Sequence, residues 1–212
     1  FPIFRNNDLH YLDTAATSQK PQVVLDKIIE YYENYNGNPG RGSYKLVMDS
    51  TRIFEDSRKT VQEFLNAKEK EEIIFTKSAT EAINLLAYSY GLDFINEGDE
   101  IVLGITNHHA NIVPWQMLAR RKKAKLKYIY LKENGQLDLD DLKYKMSKRT
   151  KLVAISAVAN VTGVIHPIEE VTEIAHANGA YILIDAAQAL LHFSIDVQKY
   201  DIDFLVFSGH KM

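Results

Sequence analysis

Two short apolar runs of the sequence end in side chains that could do chemistry. The run Tyr181–Gln188 (YILIDAAQ) carries Asp185 and ends in Gln188, and the run Asp203–Lys211 (DFLVFSGHK) ends in Ser208, His210 and Lys211. Runs of this length, rich in Val, Ile, Leu and Phe, are typical of buried strands in a parallel sheet. Because ligands bind at the carboxyl ends of such strands, we expect these polar groups to lie at a ligand-binding edge.

An amine and a carboxylate at that edge indicate one kind of chemistry in particular. A lysine held beside an apolar sheet can present a neutral amine, which attacks carbonyl groups and forms an imine. A carboxylate on a neighbouring strand can hold a pyridinium nitrogen. Lys211 and Asp185 are therefore the two groups that a pyridoxal 5′-phosphate (PLP) site requires. The alternative is a structural Asp–Lys ion pair at a strand end, and these two residues alone do not decide between them.

Composition excludes several other classes of protein. The chain has 212 residues, 46% of them hydrophobic, and a formal net charge of −3, so no general nucleic-acid or membrane-surface footprint is present. The basic cluster Arg120–Lys127 is interpreted as a solvated helix end. There is no cysteine, hence no disulfide framework, and no apolar run approaches membrane-spanning length. We expect a cytoplasmic protein that binds neither nucleic acid nor membrane.

The elements that must position these groups alternate along the chain. Helices are predicted over 21–35, 50–66, 80–90, 111–121, 139–146 and 167–177, and strands over 72–75, 100–103, 126–131 and 152–158, followed by the two runs above. Strands that alternate with helices of this length predict an α/β fold with a mainly parallel sheet and helices on both faces. We expect an N-terminal segment over residues 1–20 and one large, incomplete domain over 21–212.

Four turns carry further candidate residues. Ser78–Glu81 (SATE) fits a helix capping box, and the same helix start leaves backbone N–H groups that could cradle a phosphate. The adjacent His108 and His109 point in different directions, so no shared metal is predicted, but one of the two imidazoles could stack on a planar cofactor. Asn160 follows the 152–158 strand, and Arg41 lies in a glycine-rich loop where it could contact an anion.

Five strings of residues resemble one enzyme family. They occur in the order and at the spacings of the class V aminotransferase group: TKSATEAINL (76–85), HHANIVPWQ (108–116), ANVTG (159–163), DAAQ (185–188) and SGHK (208–211). The sequence looks most like the SufS-like cysteine desulfurases related to selenocysteine lyase. The resemblance runs from about Tyr11 to the last residue, and HHANIVPW is its most specific part.

The resemblance implies the large domain of a fold type I PLP-dependent transferase, with a mixed sheet, that acts as a homodimer. It implies that Lys211 forms the imine with PLP and moves protons, that Asp185 pairs with the pyridine nitrogen, and that His108 stacks on the ring and assists proton transfer. The other implied cofactor contacts are Gln188 and Asn160 to the ring oxygen, and Ala79, Thr80, Ser208 and His210 to the phosphate. On the substrate side it implies Asn160 and Arg41.

Two departures from the family pattern concern the substrate side and the phosphate. Gly40–Tyr44 (GRGSY) keeps the Arg of the usual His-Arg-Gly-x-His loop and lacks both histidines, and residue 79 is Ala where a hydroxyl is common. The family's nucleophilic cysteine and its carboxylate-binding arginine follow the SGHK string. We therefore expect them, with a C-terminal small domain, beyond residue 212.

Three functions remain open from the sequence. The first is a cysteine desulfurase that converts L-cysteine to L-alanine and passes the sulfur through its own cysteine to an acceptor protein of iron–sulfur cluster assembly. The second is a selenocysteine lyase or another class V aminotransferase, which shares the same cofactor residues. The third is a non-catalytic α/β domain with a structural Asp–Lys pair; no dinucleotide or P-loop motif is present to give it a nucleotide.

Overall fold

A parallel sheet carries most of the candidate residues. The computed structural model describes residues 1–5 and 7–212. In chain order the elements are α1 (Gln22–Asn34), α2 (Lys45–Leu65), α3 (Ala79–Leu86), α4 (Leu92–Phe94), β1 (Glu100–Gly104), α5 (Val113–Lys122), β2 (Lys125–Ile129), α6 (Leu139–Lys145), β3 (Thr150–Ser156), α7 (Ile168–Ala177), β4 (Tyr181–Asp185) and β5 (Phe204–Val206). The strand order is β2-β1-β3-β4-β5, and all four pairings are parallel, which confirms the predicted α/β class.

The central strands are apolar because both of their faces are covered. Side chains of β1, β3 and β4 are almost entirely buried, whereas the edge strand β2 is half-buried. On one face α3 and α5 pack against β1, β3 and β4 through a cluster that includes Ile83, Trp115 and Leu183. Residues that alternate with this set, such as Val153 and Ile184, are fully buried as well, and α6 and α7 contact the sheet.

The chain divides into two compact units, Phe1–Ile74 and Phe75–Met212. The first contains α1 and α2, and the second contains the whole sheet. The helix α1 matches its predicted bounds closely, while α2 begins five residues earlier than the predicted Ser50. The predicted segment boundary at residue 20 stays a prediction. Over the described residues, no helix combines the length and apolar character needed to cross a membrane.

The strand predicted over 72–75 is wrong. Glu72 ends a 3-10 turn, Lys70–Glu72, and the residues after it join no ladder in the described part of the chain. The carbonyl of Ile73 accepts a hydrogen bond from the Arg58 guanidinium, so a side chain takes the place that a neighbouring strand would fill. Ile74 is 67% exposed, which a buried central strand would not allow.

The helix predicted over 80–90 continues where it was expected to stop. After α3 the chain forms a π-helical turn, Ala87–Gly91, and runs directly into α4. Gly91 keeps helical backbone angles, with φ −61°, and a Cβ placed there would lie 2.5 Å from Leu118 Cδ2. The glycine therefore permits close packing of α5 and does not end the helix.

Candidate active site

Nine of the ten predicted site residues line one cavity of about 180 Å³ at the carboxyl edge of the sheet. They are Ala79, Thr80, His108, Asn160, Asp185, Gln188, Ser208, His210 and Lys211. They reach it from the ends of four neighbouring strands, β1, β3, β4 and β5, and from the first turn of α3. The tenth, Arg41, belongs to the Phe1–Ile74 unit, where it is exposed between two glycines of positive φ.

Asp185 is a buried carboxylate whose charge is only partly compensated by the protein. It is the last residue of β4, and its Oδ1 accepts a hydrogen bond from the Ala187 N–H at 3.0 Å. Burial raises the pKa of Asp185, and this outweighs the lowering effects of the Ala187 hydrogen bond and of the nearby His108 and Lys211. A cationic group in the cavity would therefore stabilise the ionised carboxylate.

Lys211 and Ser208 are placed by the segment that follows β5. Ser208 precedes a 3-10 turn, Gly209–Lys211, and its carbonyl accepts a hydrogen bond from the Lys211 N–H at 3.1 Å. Ser208 is buried, and its hydroxyl oxygen accepts a hydrogen bond from the Ala79 N–H at 3.2 Å. This contact joins residues 129 positions apart and ties the end of β5 to the start of α3.

The first turn of α3 forms a partly satisfied helix N-terminus. Ser78 Oγ accepts from the Glu81 N–H at 3.1 Å, which confirms Ser78 as the cap. The reciprocal bond of a capping box is absent from its predicted place, because the Glu81 carboxylate accepts from the Lys77 N–H. The dipole of α3 favours an anion at this end of the cavity, which Thr80 and His210 also line.

His108 is held in one tautomer by its own turn. Its Nδ1 accepts a hydrogen bond from the Ala110 N–H at 3.1 Å, at the start of the 3-10 turn His109–Asn111. A ring nitrogen that accepts this bond carries no proton, so the neutral imidazole carries its proton on Nε2. The ring is exposed and lines the cavity, in keeping with a group that exchanges protons with a ligand.

Five further residues line the cavity that the sequence did not single out as site residues: Ser78, Ala110, Ser156, Val158 and Ala187. Ser156 carries the clearest missed signal, because it is a polar residue that ends the apolar run of β3. The small side chains of Ala110 and Ala187 leave space and carry no chemical signal of their own.

The fold and the cavity together indicate a class of protein. A parallel α/β sheet that brings an amine, an under-compensated buried carboxylate and an anion-binding helix start to one edge is suited to a phosphorylated, nitrogen-containing aromatic cofactor. The sequence model of the family described as aminotransferase class V matches residues 10–212. The chain belongs to this family.

Relatives and solved structures point to one branch of the family. The chain is 46% identical over its whole length to a probable cysteine desulfurase of Synechocystis, of which it covers 51%. Its structure superimposes with a TM-score of 0.91 on a cysteine desulfurase from Thermococcus onnurineus NA1, at 43% identity, covering 96% of this chain and 50% of that one. For the cysteine desulfurase CsdA of Escherichia coli the TM-score is 0.86, the identity 36%, and the covered shares 95% and 50%. The chain thus spans about half the length of the proteins it matches.

Family membership confirms the predicted cofactor, because class V aminotransferases are PLP-dependent enzymes. The residues in the cavity fit PLP chemically. Lys211 supplies an amine, the buried Asp185 supplies a carboxylate that a protonated ring nitrogen would stabilise, and the start of α3 supplies donors for a phosphate.

Proposed function

We propose that the protein containing this chain is a PLP-dependent cysteine desulfurase. The observation that carries the proposal is the placement of Lys211, Asp185 and His108 in one cavity. It is supported by relatives of 44–49% identity that are named cysteine desulfurases or probable cysteine desulfurases. The reaction converts L-cysteine to L-alanine while the substrate sulfur is taken by an enzyme thiol as a persulfide.

The chemistry divides between the cofactor and the chain. When bound, PLP withdraws electrons from the substrate Cα and weakens the bond from Cβ to sulfur. Lys211 would attach the cofactor and move a proton at the substrate Cα, and His108, whose neutral ring carries its proton on Nε2, could give that proton to the substrate. Asp185 would hold the ring nitrogen, and Gln188 and Asn160 would bond the ring oxygen.

The phosphate and the substrate carboxylate have separate binding groups. The phosphate would be bound by Thr80, Ser208, His210 and the Ala79 N–H. Because the Ala79 N–H donates to the Ser208 hydroxyl in this structure, a bound phosphate would share this donor with Ser208 or replace Ser208 as its acceptor. Arg41 and Asn160 contact the substrate. The chain has no cysteine, so the thiol that accepts sulfur is supplied from outside these residues.

The wider setting follows from the same proposal. The enzyme is a SufS-like homodimer of the cytoplasm, with a PLP-binding large domain of which residues 21–212 form part and a smaller C-terminal domain. Its persulfide sulfur passes to an acceptor protein of iron–sulfur cluster assembly.

The decisive experiment measures products from L-cysteine. The complete protein should release alanine and, with a thiol reductant, sulfide in equal amounts. Selenocysteine should be compared at the same concentration, since a strong preference for it would favour a selenocysteine lyase. Formation of a keto acid with an amino acceptor, in place of alanine and sulfide, would contradict the proposal and favour an aminotransferase.

A further inference from the structure

The loop that carries His108 is anchored by the residue before it. After β1 ends at Gly104, four residues lead to the 3-10 turn, and among them Asn107 alone is buried, at 7% exposure. An asparagine carboxamide buried in a loop needs partners for its donor and its acceptor. Asn107 finds both on the neighbouring strand β3.

The Asn107 side chain occupies the place of a backbone peptide group. Its Nδ2 donates to the Ala154 carbonyl at 2.9 Å, and its Oδ1 accepts from the Ser156 N–H at 3.0 Å. The register of β1 with β3 ends at the pair Leu103 and Ala154, and a continuing parallel strand would use these same two groups on either side of Ile155. The carboxamide therefore extends the ladder beyond the end of β1.

The same side chain also holds the turn after His108. Nδ2 donates a second, longer hydrogen bond to the Asn111 carbonyl at 3.3 Å, and the Asn107 N–H donates to the Gly104 carbonyl at 3.1 Å. Gly104 leaves room for this arrangement, because a Cβ there would lie 2.8 Å from Asn107 Oδ1. His108 is thus bracketed by residues fixed on both of its sides.

A second contact fixes the loop one residue earlier. The Thr106 hydroxyl lies 3.0 Å from Nε2 of His166, a buried residue whose N–H bonds the Ala157 carbonyl just beyond β3. Two successive residues of the loop are therefore tied to β3 and to the segment that follows it. These contacts hold the backbone on the N-terminal side of His108, whose ring accepts a hydrogen bond from the Ala110 N–H in the turn that follows.

We propose that Asn107 is a positioning residue, which sets the location and tautomer of the His108 ring over the cofactor. This inference rests on the proposed function for its effect on rate, and on the hydrogen bonds above for its effect on the ring. A displacement of a reacting group by about 1 Å can lower the reaction rate by about 100-fold. Asn107→Ala should therefore lower the rate of alanine formation by about 10- to 100-fold.

A double-mutant cycle tests whether Asn107 acts through His108. Rates are measured for the complete protein, Asn107→Ala, His108→Ala and the double variant. If Asn107 positions His108, its replacement should change the rate less than twofold once His108 is absent. An equal loss from Asn107→Ala in both backgrounds would overturn the inference.

A cofactor-independent measurement separates this inference from the proposed function. In PLP-free protein, nitrogen NMR of the His108 ring should show the proton on Nε2 in wild type and a mixture of tautomers in Asn107→Ala. If wild type binds no PLP, the proposed function fails while this measurement still decides about Asn107. An unchanged tautomer in Asn107→Ala would contradict the positioning role.

Two variants control for stability. Thr150→Val removes buried hydrogen bonds at the other end of β3, where Thr150 bonds Ser147 and Glu100, and should leave the His108 tautomer and the rate unchanged. Asn107→Asp keeps the oxygen that accepts from the Ser156 N–H and loses the N–H group that donates to the Ala154 carbonyl. If Asn107→Ala does not fold, this variant tests the positioning role in its place. It should show the same mixture of tautomers; the wild-type tautomer and rate in Asn107→Asp would also overturn the inference.

Discussion

Replacing Ser208 with Ala removes the contact that joins the end of β5 to the start of α3. The Ala79 N–H then loses the hydroxyl oxygen to which it donates at 3.2 Å, and both residues are buried. An unsatisfied buried donor costs about 1–3 kcal/mol, so PLP-free Ser208→Ala should unfold at lower denaturant concentration by a corresponding amount. The proposed phosphate contact of Ser208 is lost as well.

The loss of PLP affinity can be bounded from the same geometry. A hydrogen bond to a charged group contributes about 1.5–3 kcal/mol, which corresponds to about a 10- to 100-fold rise in the Kd of PLP. The assay is titration of PLP into cofactor-free protein, followed by absorbance, with denaturant unfolding of the same samples.

Thr172→Val is the matched control. Thr172 is also buried, but its hydroxyl donates to the Ile168 carbonyl one turn back in α7, a group that already accepts a hydrogen bond within the helix. Removal of this hydroxyl should cost about 0.5–1.5 kcal/mol, the net contribution of one intramolecular hydrogen bond, and should leave PLP affinity unchanged. Wild-type affinity in Ser208→Ala, or an equal loss in both variants, would refute the reasoning.

Three further predictions concern buried groups. Because the pKa of Asp185 is raised, the native state keeps this proton to higher pH than the unfolded chain, and the free energy of unfolding falls as pH rises from about 3.8 through the native pKa. Urea unfolding of the PLP-free protein at a series of pH values should show this decline, and Asp185→Asn should lack it. The same decline in Asp185→Asn would contradict the raised pKa. Burial lowers the pKa of His166 below 6.5, so stability should fall as pH falls below about 6.5, and His166→Asn should flatten that dependence; identical curves for both proteins would contradict the assignment. Gly104→Ala places a Cβ 2.8 Å from Asn107 Oδ1 and should cost about 1–3 kcal/mol of unfolding free energy, with a smaller cost when Asn107 is already Ala; equal costs would refute the clash.

The central sheet could be predicted from the sequence because its buried strands are continuous runs of apolar residues. The strands β1, β3 and β4 are continuous apolar runs, and the polar residues just beyond them lie at one edge, as parallel topology requires. Seven of the nine candidate residues in the cavity lie at or after the ends of β1, β3, β4 and β5 and could be grouped for that reason, whereas Ala79 and Thr80 lie in the first turn of α3. Their roles toward the cofactor remain predictions.

The failures share a different cause, since each depends on a contact distant in sequence. The segment at 72–75 has the apolar pattern of a strand, but the Ile73 carbonyl accepts a hydrogen bond from Arg58, which lies 15 residues earlier in the sequence. Gly91 read as a helix end, but it is required by Leu118 of α5. Asn107 carries no local pattern that separates it from an ordinary loop asparagine, because its partners lie 47 and 49 residues ahead on β3.

The most direct test of the account is to find where the cofactor attaches. The complete protein should be yellow with PLP, and borohydride reduction followed by peptide mass spectrometry should place the cofactor mass on the peptide containing Lys211, with none in Lys211→Ala. A colourless protein, or a reduced adduct on another lysine, would contradict the convergence of Lys211 and Asp185 on one PLP.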